Sequence, residues 1–186
     1  MGKLFDVYTR SYCLDSTDSA EFFDCINDLY NSEQVQGLQK YVQHSTINRL
    51  DHIRSVTYVT FVYCKRFSLD FRTAARAAIL HDLFYYDWHE NDWSHRPHGY
   101  RHPGFALKNA RELNPSISRK EENIILRHMW PLTVIPPASR EGFIVTLADK
   151  YCAVRELLIA DRKYFRDKFE KNRQRLIKHG ELKKDV

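Results

Sequence analysis

Four histidines and two aspartates are placed along this chain where they could bind metal ions. Each lies on, or at the start of, a predicted helix with apolar neighbours. They are His52, His81, Asp82, His102, His128 and Asp149. Imidazole and carboxylate groups are costly to bury unless a partner such as a bound cation compensates for their lost hydration. Because a helical bundle can direct side chains from several helices to one interior point, the set predicts a buried metal site.

The adjacent pair His81 and Asp82 constrains the geometry of that site. It follows the apolar segment 77–80, which continues a predicted helix. Neighbouring residues on a helix point about 100° apart. The two side chains can therefore serve one centre only beyond the end of the helix, or if Asp82 bridges two ions.

The elements that position these residues are predicted to be helices, because the hydrophobic pattern is helical almost throughout and no convincing alternating strand is found. We expect an all-α, compact, HD-domain-like bundle of about six to eight helices. The first predicted helix is capped within residues 16–19, the second covers 34–43, the third is capped by Ser45 or Thr46, and the fourth is capped by Asp70. Two later helices run from Ser118 to near Pro131 and over 140–158. After the helix capped by Asp70, a polar aromatic loop over 88–101 leads to a further helix. Pro103 suits the first position of that helix, which would place His102 at or near its N-cap.

Three parts of one structural domain follow from this pattern. We expect N-terminal helices over 1–45 that cover the core, a metal-binding region over 46–160, and a basic C-terminal helix or tail over 161–186. The tail has ten basic and five acidic residues and so carries the whole net charge of +5. The rest of the chain is balanced, whereas a nucleic-acid-binding fold is usually basic itself, so we expect no nucleic-acid partner.

The cellular compartment is predicted from features that the sequence lacks. There is no run of 18 apolar residues and no apolar N-terminal region typical of a signal peptide. The four cysteines, Cys13, Cys25, Cys64 and Cys152, are scattered. We therefore expect a cytoplasmic protein with reduced, mostly buried thiols and no membrane partner; the sequence leaves the oligomeric state undetermined.

The order of the six residues resembles the HD-domain superfamily of metal-dependent phosphohydrolases, whose pattern is His, then His-Asp, then Asp. Members with two metals have two more histidines before the last aspartate, and all six positions are matched here over roughly 47–158. The likeness is close to a bacterial group in which aromatic residues and Asp-Trp-His follow the pair, as Asp87, Trp88 and His89 do here.

The resemblance implies a dinuclear hydrolase. It assigns one ion to His52, His81, Asp82 and Asp149, and a second ion to Asp82, His102 and His128, with Asp82 as the bridging and catalytic carboxylate. Such mixed ligands suit divalent Fe, Mn, Ni or Zn. Two ions can hold a hydroxide that attacks phosphorus, so the expected substrate is a nucleotide or another small phosphate ester or anhydride.

Side chains next to the ligands are candidates for binding this substrate. The cations are Lys150, Arg101, Arg127 and Arg54, of which the first two have the strongest case. His98 could act as the general acid for the leaving group, and Trp88 could stack on a base. The remaining histidines, His44, His89, His95 and His179, are expected to be solvated.

Two other functions fit the same sequence. A few HD proteins with this ligand set are di-iron oxygenases that cleave C–C or C–P bonds with O₂. Alternatively, the metals stabilise a non-catalytic binding module that works through the basic tail over 161–186.

Overall fold

Helices dominate the computed structural model, which describes residues 7–12, 18–44, 47–158 and 162–178. Within these ranges the α-helices are α1 (Val7–Arg10), α2 (Asp18–Tyr30), α3 (Glu33–Gln36), α4 (Arg49–Arg66), α5 (Phe71–Leu80), α6 (His98–Leu113), α7 (Arg119–Arg127), α8 (Arg140–Leu158) and α9 (Arg162–Lys178). A 3-10 helix (Gly37–Lys40) leads into an antiparallel hairpin of β1 (Val42–His44) and β2 (Ile47–Asn48). The prediction of an all-α bundle is confirmed.

Helix α4 is the centre of the bundle. It packs most extensively against α5 and α8, and every residue from Arg49 to Phe61 is buried. On one side, the ring centroid of Phe22 lies 5.2 Å from that of Tyr58 and 5.5 Å from that of Phe61. Because this stretch also contains His52, its polar groups must find partners inside the protein.

The N-terminal caps of α5 and α7 were correctly predicted. The side chain of Asp70 accepts a hydrogen bond from the backbone N–H of Thr73 at 3.1 Å. Ser118 and Glu121 form a reciprocal capping box, in which each side chain accepts from the other residue's N–H. These caps satisfy N–H groups that have no partner within the helix, and they fix where both helices begin.

Helices α5 and α7 also end in the same way, each at a histidine. His81 and His128 are the C-terminal caps of the two helices. The Nδ1 atom of each ring lies 2.7 Å from a carbonyl oxygen three residues earlier, in Ala78 and Ile125 respectively. Each ring therefore satisfies a terminal carbonyl while its Nε2 atom points away from the helix.

Residues 34–48 depart from the predicted helix. Helix α3 ends at Gln36, and the chain then forms the 3-10 helix and the hairpin. Asn48, rather than Ser45 or Thr46, caps α4 by accepting from the N–H of Asp51 at 2.8 Å; Ser45 and Thr46 lie outside the described residues. In this part of the chain, Gln43 and Arg49 contact the segment at the end of α5. No local sequence pattern encodes these contacts.

The start of α6 and the end of α7 were also placed wrongly. Helix α6 begins at His98, so His102 lies within the helix and not at its N-cap, and Pro103 is an internal residue. The N–H groups of Tyr100 and Arg101 both donate to Pro97 O, which starts the helix earlier than predicted. Helix α7 ends at Arg127, before Pro131.

The basic C-terminal segment contributes to packing. In α9 the side chains of Phe169 and Leu176 are buried in the core. The guanidinium of Arg54 lies 3.8 Å from the ring centroid of Phe169 and pairs with Asp51 at 2.9 Å. Arg54, a candidate for contacting phosphate, is therefore committed to anchoring α9.

Two further sequence expectations concern membranes and thiols. None of the described helices combines the length and the apolar character needed to cross a bilayer. Cys25, Cys64 and Cys152 are buried and unpaired by disulfides, as expected, whereas Cys13 lies outside the described residues. Burial raises the pKa of the Cys25 thiol to about 11, so this thiol is unreactive near neutral pH.

The capping box of α7 gives a test of the fold. Ser118→Ala removes one half of the reciprocal pair and should lower the free energy of unfolding by about 0.5–2 kcal/mol. Urea titration followed by circular dichroism measures this change. Ser116→Ala is the control, because the exposed Ser116 hydroxyl donates only to the Asn114 side chain. Equal losses in the two variants would contradict the assigned cap.

Candidate metal centre

Five helices bring the six predicted ligands to one place in the interior. Helices α4, α6 and α8 each contain one of them, two follow the end of α5, and one follows the end of α7. In chain order they are His52, His81, Asp82, His102, His128 and Asp149. All are buried except Asp149, whose side chain is 15% exposed. Two groups of donor atoms that could hold a metal ion occur among them, His52 with His81 and Asp149, and His81 with Asp82 and His128.

The adjacent pair satisfies the constraint drawn from the sequence. Helix α5 ends at Leu80, so His81 and Asp82 lie just beyond its last turn. There the backbone no longer forces the two side chains 100° apart, as it does within a helix. His81 Nε2 lies 3.8 Å from Asp82 Oδ2, which allows both residues to face the same centre.

Each of the four imidazoles presents its Nε2 atom to the site. In His81 and His128 the Nδ1 atom is held by a backbone carbonyl, and in His102 it lies 2.9 Å from His98 O. Since a carbonyl only accepts hydrogen bonds, Nδ1 must carry the proton in these three rings, and in the neutral form Nε2 keeps its lone pair. This is the tautomer that a metal ligand needs.

His52 is oriented by a carboxylate in place of a carbonyl. Its Nδ1 atom lies 2.9 Å from Glu156 Oε2, and both side chains are fully buried. Metal-binding histidines commonly donate their second N–H to a carboxylate, which fixes the ring and increases its basicity. Glu156 was missed in the sequence, although it follows Asp149 by seven residues and so lies two turns along the same face of α8.

In the first group, two histidines converge on one aspartate oxygen. Asp149 Oδ1 lies 3.1 Å from His52 Nε2 and 3.8 Å from His81 Nε2. Ligand atoms bound at about 2.0–2.2 Å to a single ion are themselves about 3–4 Å apart. His81 Nε2 is buried without a hydrogen-bond partner among the described residues, which fits an atom whose partner is a cation.

Beside the second group, the imidazole of His102 faces that of His128 across a very short distance. The Nε2 atoms of His102 and His128 are 2.9 Å apart. They lie 3.2 Å and 3.7 Å, respectively, from Asp82 Oδ1. Two neutral rings would direct lone pairs at each other here, because both Nδ1 atoms carry protons. A proton or a metal ion is required to make this arrangement favourable.

The charges around the site favour cations. Burial alone would raise the pKa of Asp82, but His81 and His102 outweigh burial and hold it well below its usual value. Burial likewise opposes the ionised form of Asp149, but the hydrogen bond with His52 and the nearby imidazole of His81 hold its pKa well below the usual value. Both carboxylates are therefore ionised at neutral pH. The carboxyl ends of α5 and α7 add partial negative charge.

The histidines differ in whether they must lose a proton before they can bind a metal. Burial, with the neighbouring His81 and His102, lowers the pKa of His128 to about 3. Burial would also lower the pKa of His52, but Glu156 and Asp149 outweigh it and raise that pKa. His128 is thus ready to bind a metal, whereas His52 must lose a proton when a metal binds.

The predicted substrate-binding cations are placed differently from one another. Lys150 lines a cavity of about 190 Å³ that opens over the ligands, and its Nζ donates to His128 O at 3.3 Å. Arg101 is exposed and donates to the carbonyls of Trp93 and Arg96 at 3.3 and 3.4 Å, bracing the loop before α6. Arg127 is half-buried and is absent from the described residues lining this cavity. Only Lys150 of the three is brought to the site.

Trp88 and His98 lie at the mouth of the site. Both line the cavity over the ligands and also a neighbouring cavity of about 480 Å³. Their rings are stacked, with centroids 5.4 Å apart and planes at 17°. Burial and the nearby His102 lower the pKa of His98 to about 3. His98 is therefore neutral near pH 7 and can donate a proton to a leaving group only if a bound phosphate raises this pKa.

One of the histidines expected to be solvated is buried. His95 is only 3% exposed, and its ring stacks on Tyr86 with centroids 4.1 Å apart. His89 is exposed and pairs with Asp87 at 2.7 Å. The loop over 88–97 packs back on itself, which no periodicity reveals. The side chain of His44 and all of His179 lie outside the described residues.

No family model, curated protein or solved structure matches this chain. The buried groups of histidine and aspartate are consistent with the HD pattern, since they occur in its order and share one site.

The contact between Glu156 and His52 predicts a measurable effect on metal affinity. Glu156→Gln keeps the side-chain size but replaces the carboxylate with a weaker acceptor, so Zn²⁺ or Mn²⁺ affinity should fall by about 10- to 100-fold. Calorimetric titration of chelator-treated protein measures it. The control is Glu112→Gln, an exposed change on α6, which should leave the metal affinity unaltered. If Glu156→Gln also left the metal affinity unaltered, Glu156 would not act on the metal site.

Proposed function

We propose that this protein is an HD-type, metal-dependent phosphohydrolase of nucleotides or other small phosphate esters or anhydrides. The observation that supports this best is the convergence of four imidazole Nε2 atoms and two ionised carboxylates on one buried site below an open cavity. Neutral imidazole with carboxylate is a ligand set suited to divalent Fe, Mn, Ni or Zn. When bound, two such ions would neutralise phosphate oxygens and make water a better nucleophile at neutral pH.

The cavity offers no hydroxyl or thiol nucleophile among its described lining residues, which favours attack by water. Its described lining residues carry amide, indole, imidazole, carboxylate, thioether and ammonium groups, but no hydroxyl or thiol. Attack by a serine, threonine or cysteine is thus disfavoured, and the attacking oxygen would come from water. The thioether of Met129 and the methyl of Ala153 give the cavity an apolar side.

Lys150 is the side chain best placed to hold the phosphate. Its Nζ lies 4.0 Å from Asp149 Oδ2 and beside the carbonyl of His128. Burial lowers the pKa of Lys150 from its usual value, because the ammonium group loses hydration. A bound anion would stabilise the charged ammonium group and would therefore be favoured. The side chain remains 41% exposed and can turn toward a ligand in the cavity.

The neighbouring cavity favours a leaving group with a planar ring. Trp93, which is 78% exposed, lines it together with Trp88, Arg96, Pro97 and His98. Since Trp88 and His98 line both cavities, a ligand can reach from the metal site to the aromatic side chains. Indole rings stack well on bases, and a base would make the substrate a nucleotide in preference to a sugar phosphate.

A hydrolysis screen tests the proposal. Purified protein is loaded with Mn, Fe, Ni, Co, Zn or Mg under anaerobic conditions and assayed for phosphate release from nucleotides and phosphate esters. We expect turnover that His81→Ala and Asp82→Ala abolish, because each removes a ligand. Asp24→Ala, which removes a carboxylate on the exposed face of α2, should keep full activity.

Two results would contradict the proposal in favour of the other functions. Uptake of O₂ with an inositol or a phosphonate, without anaerobic phosphate release, would indicate an oxygenase. Metal binding without turnover, together with RNA binding that Lys171→Gln and Lys178→Gln weaken, would indicate a binding module. Substitutions are used because deleting α9 would expose the core around Phe169.

The aromatic cavity gives a separate prediction about the substrate. Base stacking contributes about 1–3 kcal/mol, so Trp93→Ala should lower kcat/KM for a nucleotide by about 5- to 150-fold. A phosphate ester without a ring should be hydrolysed as before. Trp93→Phe should retain most of the activity, and Phe67→Ala, which removes another exposed aromatic ring, should have no effect. Equal loss on both substrates would argue against a base-binding role.

A further inference from the structure

We infer that Gln43 and Arg49 are positioning residues that fix the plane of the Asp82 carboxylate, so that one of its oxygens faces each group of histidines. This inference rests on the proposed metal site. Neither residue is among the six ligands. The contacts, the chemistry of the donors and the turn of the chain at the hairpin support it together.

Arg49 is the start of the chain of contacts. It is fully buried at the first position of α4. Its Nε donates to Gln43 Oε1 at 2.8 Å, its Nη1 to Phe84 O at 2.7 Å, and its Nη2 to Tyr86 O at 3.1 Å. Its guanidinium carbon lies 3.5 Å from the ring centroid of Phe84. The planar guanidinium is thus held on three sides and cannot turn.

Arg49 determines which way the Gln43 amide points. A guanidinium has only donors, so the amide atom that faces it must be the oxygen. The amide nitrogen then faces the other way, and Gln43 Nε2 donates to Asp82 Oδ2 at 2.7 Å. Turning the amide over would oppose donor to donor at Arg49 and acceptor to acceptor at Asp82. The orientation follows from the chemistry of the three groups.

The Gln43 contact determines what each Asp82 oxygen can reach. With Oδ2 held by Gln43, the same oxygen lies 3.8 Å from His81 Nε2. Oδ1 then faces His102 Nε2 at 3.2 Å and His128 Nε2 at 3.7 Å. Rotation of the carboxylate by a quarter turn would move both oxygens out of these directions. A carboxylate that is to join two metal positions needs this plane fixed.

The contact between Gln43 and Asp82 depends on the hairpin. Strand β1 carries Gln43 across the start of α4, and β2 leads into the helix that begins with Arg49. Arg49 in turn holds the carbonyls of Phe84 and Tyr86, in the segment that follows Asp82. The guanidinium therefore joins the hairpin and the segment after α5, the two parts of the chain on either side of the carboxylate.

A purely structural role makes a different prediction from a positioning role. If Gln43 only completes the partners of Arg49, Gln43→Glu should be tolerated, because a carboxylate accepts from Arg49 even better than an amide. If Gln43 also holds Asp82, the same variant places two carboxylates in contact and removes the only donor to Oδ2 among the described contacts. Metal binding therefore separates the two roles.

The experiment is calorimetric titration of chelator-treated protein with Mn²⁺ or Zn²⁺, without substrate. The unmodified protein should bind two ions. Gln43→Leu should bind both ions more weakly, because Asp82 faces both groups of histidines, and the second ion, near His102 and His128, should be weakened by about 10- to 100-fold. Gln43→Glu should also weaken the second ion. Gln39→Leu, an exposed change on the 3-10 helix, should bind both ions normally.

Each outcome of this titration decides the inference. Two ions bound normally by both Gln43 variants would overturn it while leaving the proposed hydrolase intact. Normal binding by Gln43→Glu but not by Gln43→Leu would assign a structural role and also overturn it. If Gln43→Leu does not fold, Gln43→Glu alone decides. If the unmodified protein binds no metal, the proposed function fails first and the inference falls with it.

Discussion

Each of the four candidate ligand imidazoles has its Nδ1 atom committed to a group that only accepts hydrogen bonds, and the rest of the site depends on this constraint. Three rings are held by backbone carbonyls and His52 by the Glu156 carboxylate. Their Nε2 atoms consequently point into the same small volume, where those of His102 and His128 come within 2.9 Å. Lone pairs at that distance repel unless a cation separates them. The capacity to hold a metal ion thus depends on the arrangement of hydrogen bonds around the candidate ligands as much as on these residues themselves.

The fold provides this arrangement chiefly at the ends of helices. Helices α5 and α7 both finish at a histidine whose ring satisfies a terminal carbonyl, so one contact both ends the helix and aims the ligand. Burial of so many ionisable groups opposes folding. A ligand that binds only the folded state would offset this cost. We therefore expect metal binding and folding to be coupled: the core holds the candidate ligands, and bound ions would in turn stabilise α4 between α5 and α8.

The sequence predicted the features that local chemistry determines. Side-chain type and order identified the six residues that the fold brings together, and the caps at Asp70 and Ser118 were correct because a cap depends on residues three apart. The hairpin and the early start of α6 were missed, since both depend on contacts between distant segments. Gln43 and Arg49 carry no recognisable spacing relative to Asp82. Their importance follows only from a three-dimensional path of hydrogen bonds.

The most direct test of the central constraint is long-range proton–nitrogen NMR of the histidine rings, recorded with and without Zn²⁺. The account predicts that Nδ1 keeps its proton in His81, His102 and His128. It also predicts that added Zn²⁺ shifts the Nε2 resonances of these rings and of His52, while the exposed His89 is unaffected. Ring signals that stay unchanged at saturating Zn²⁺, or that move at Nδ1 in place of Nε2, would contradict it.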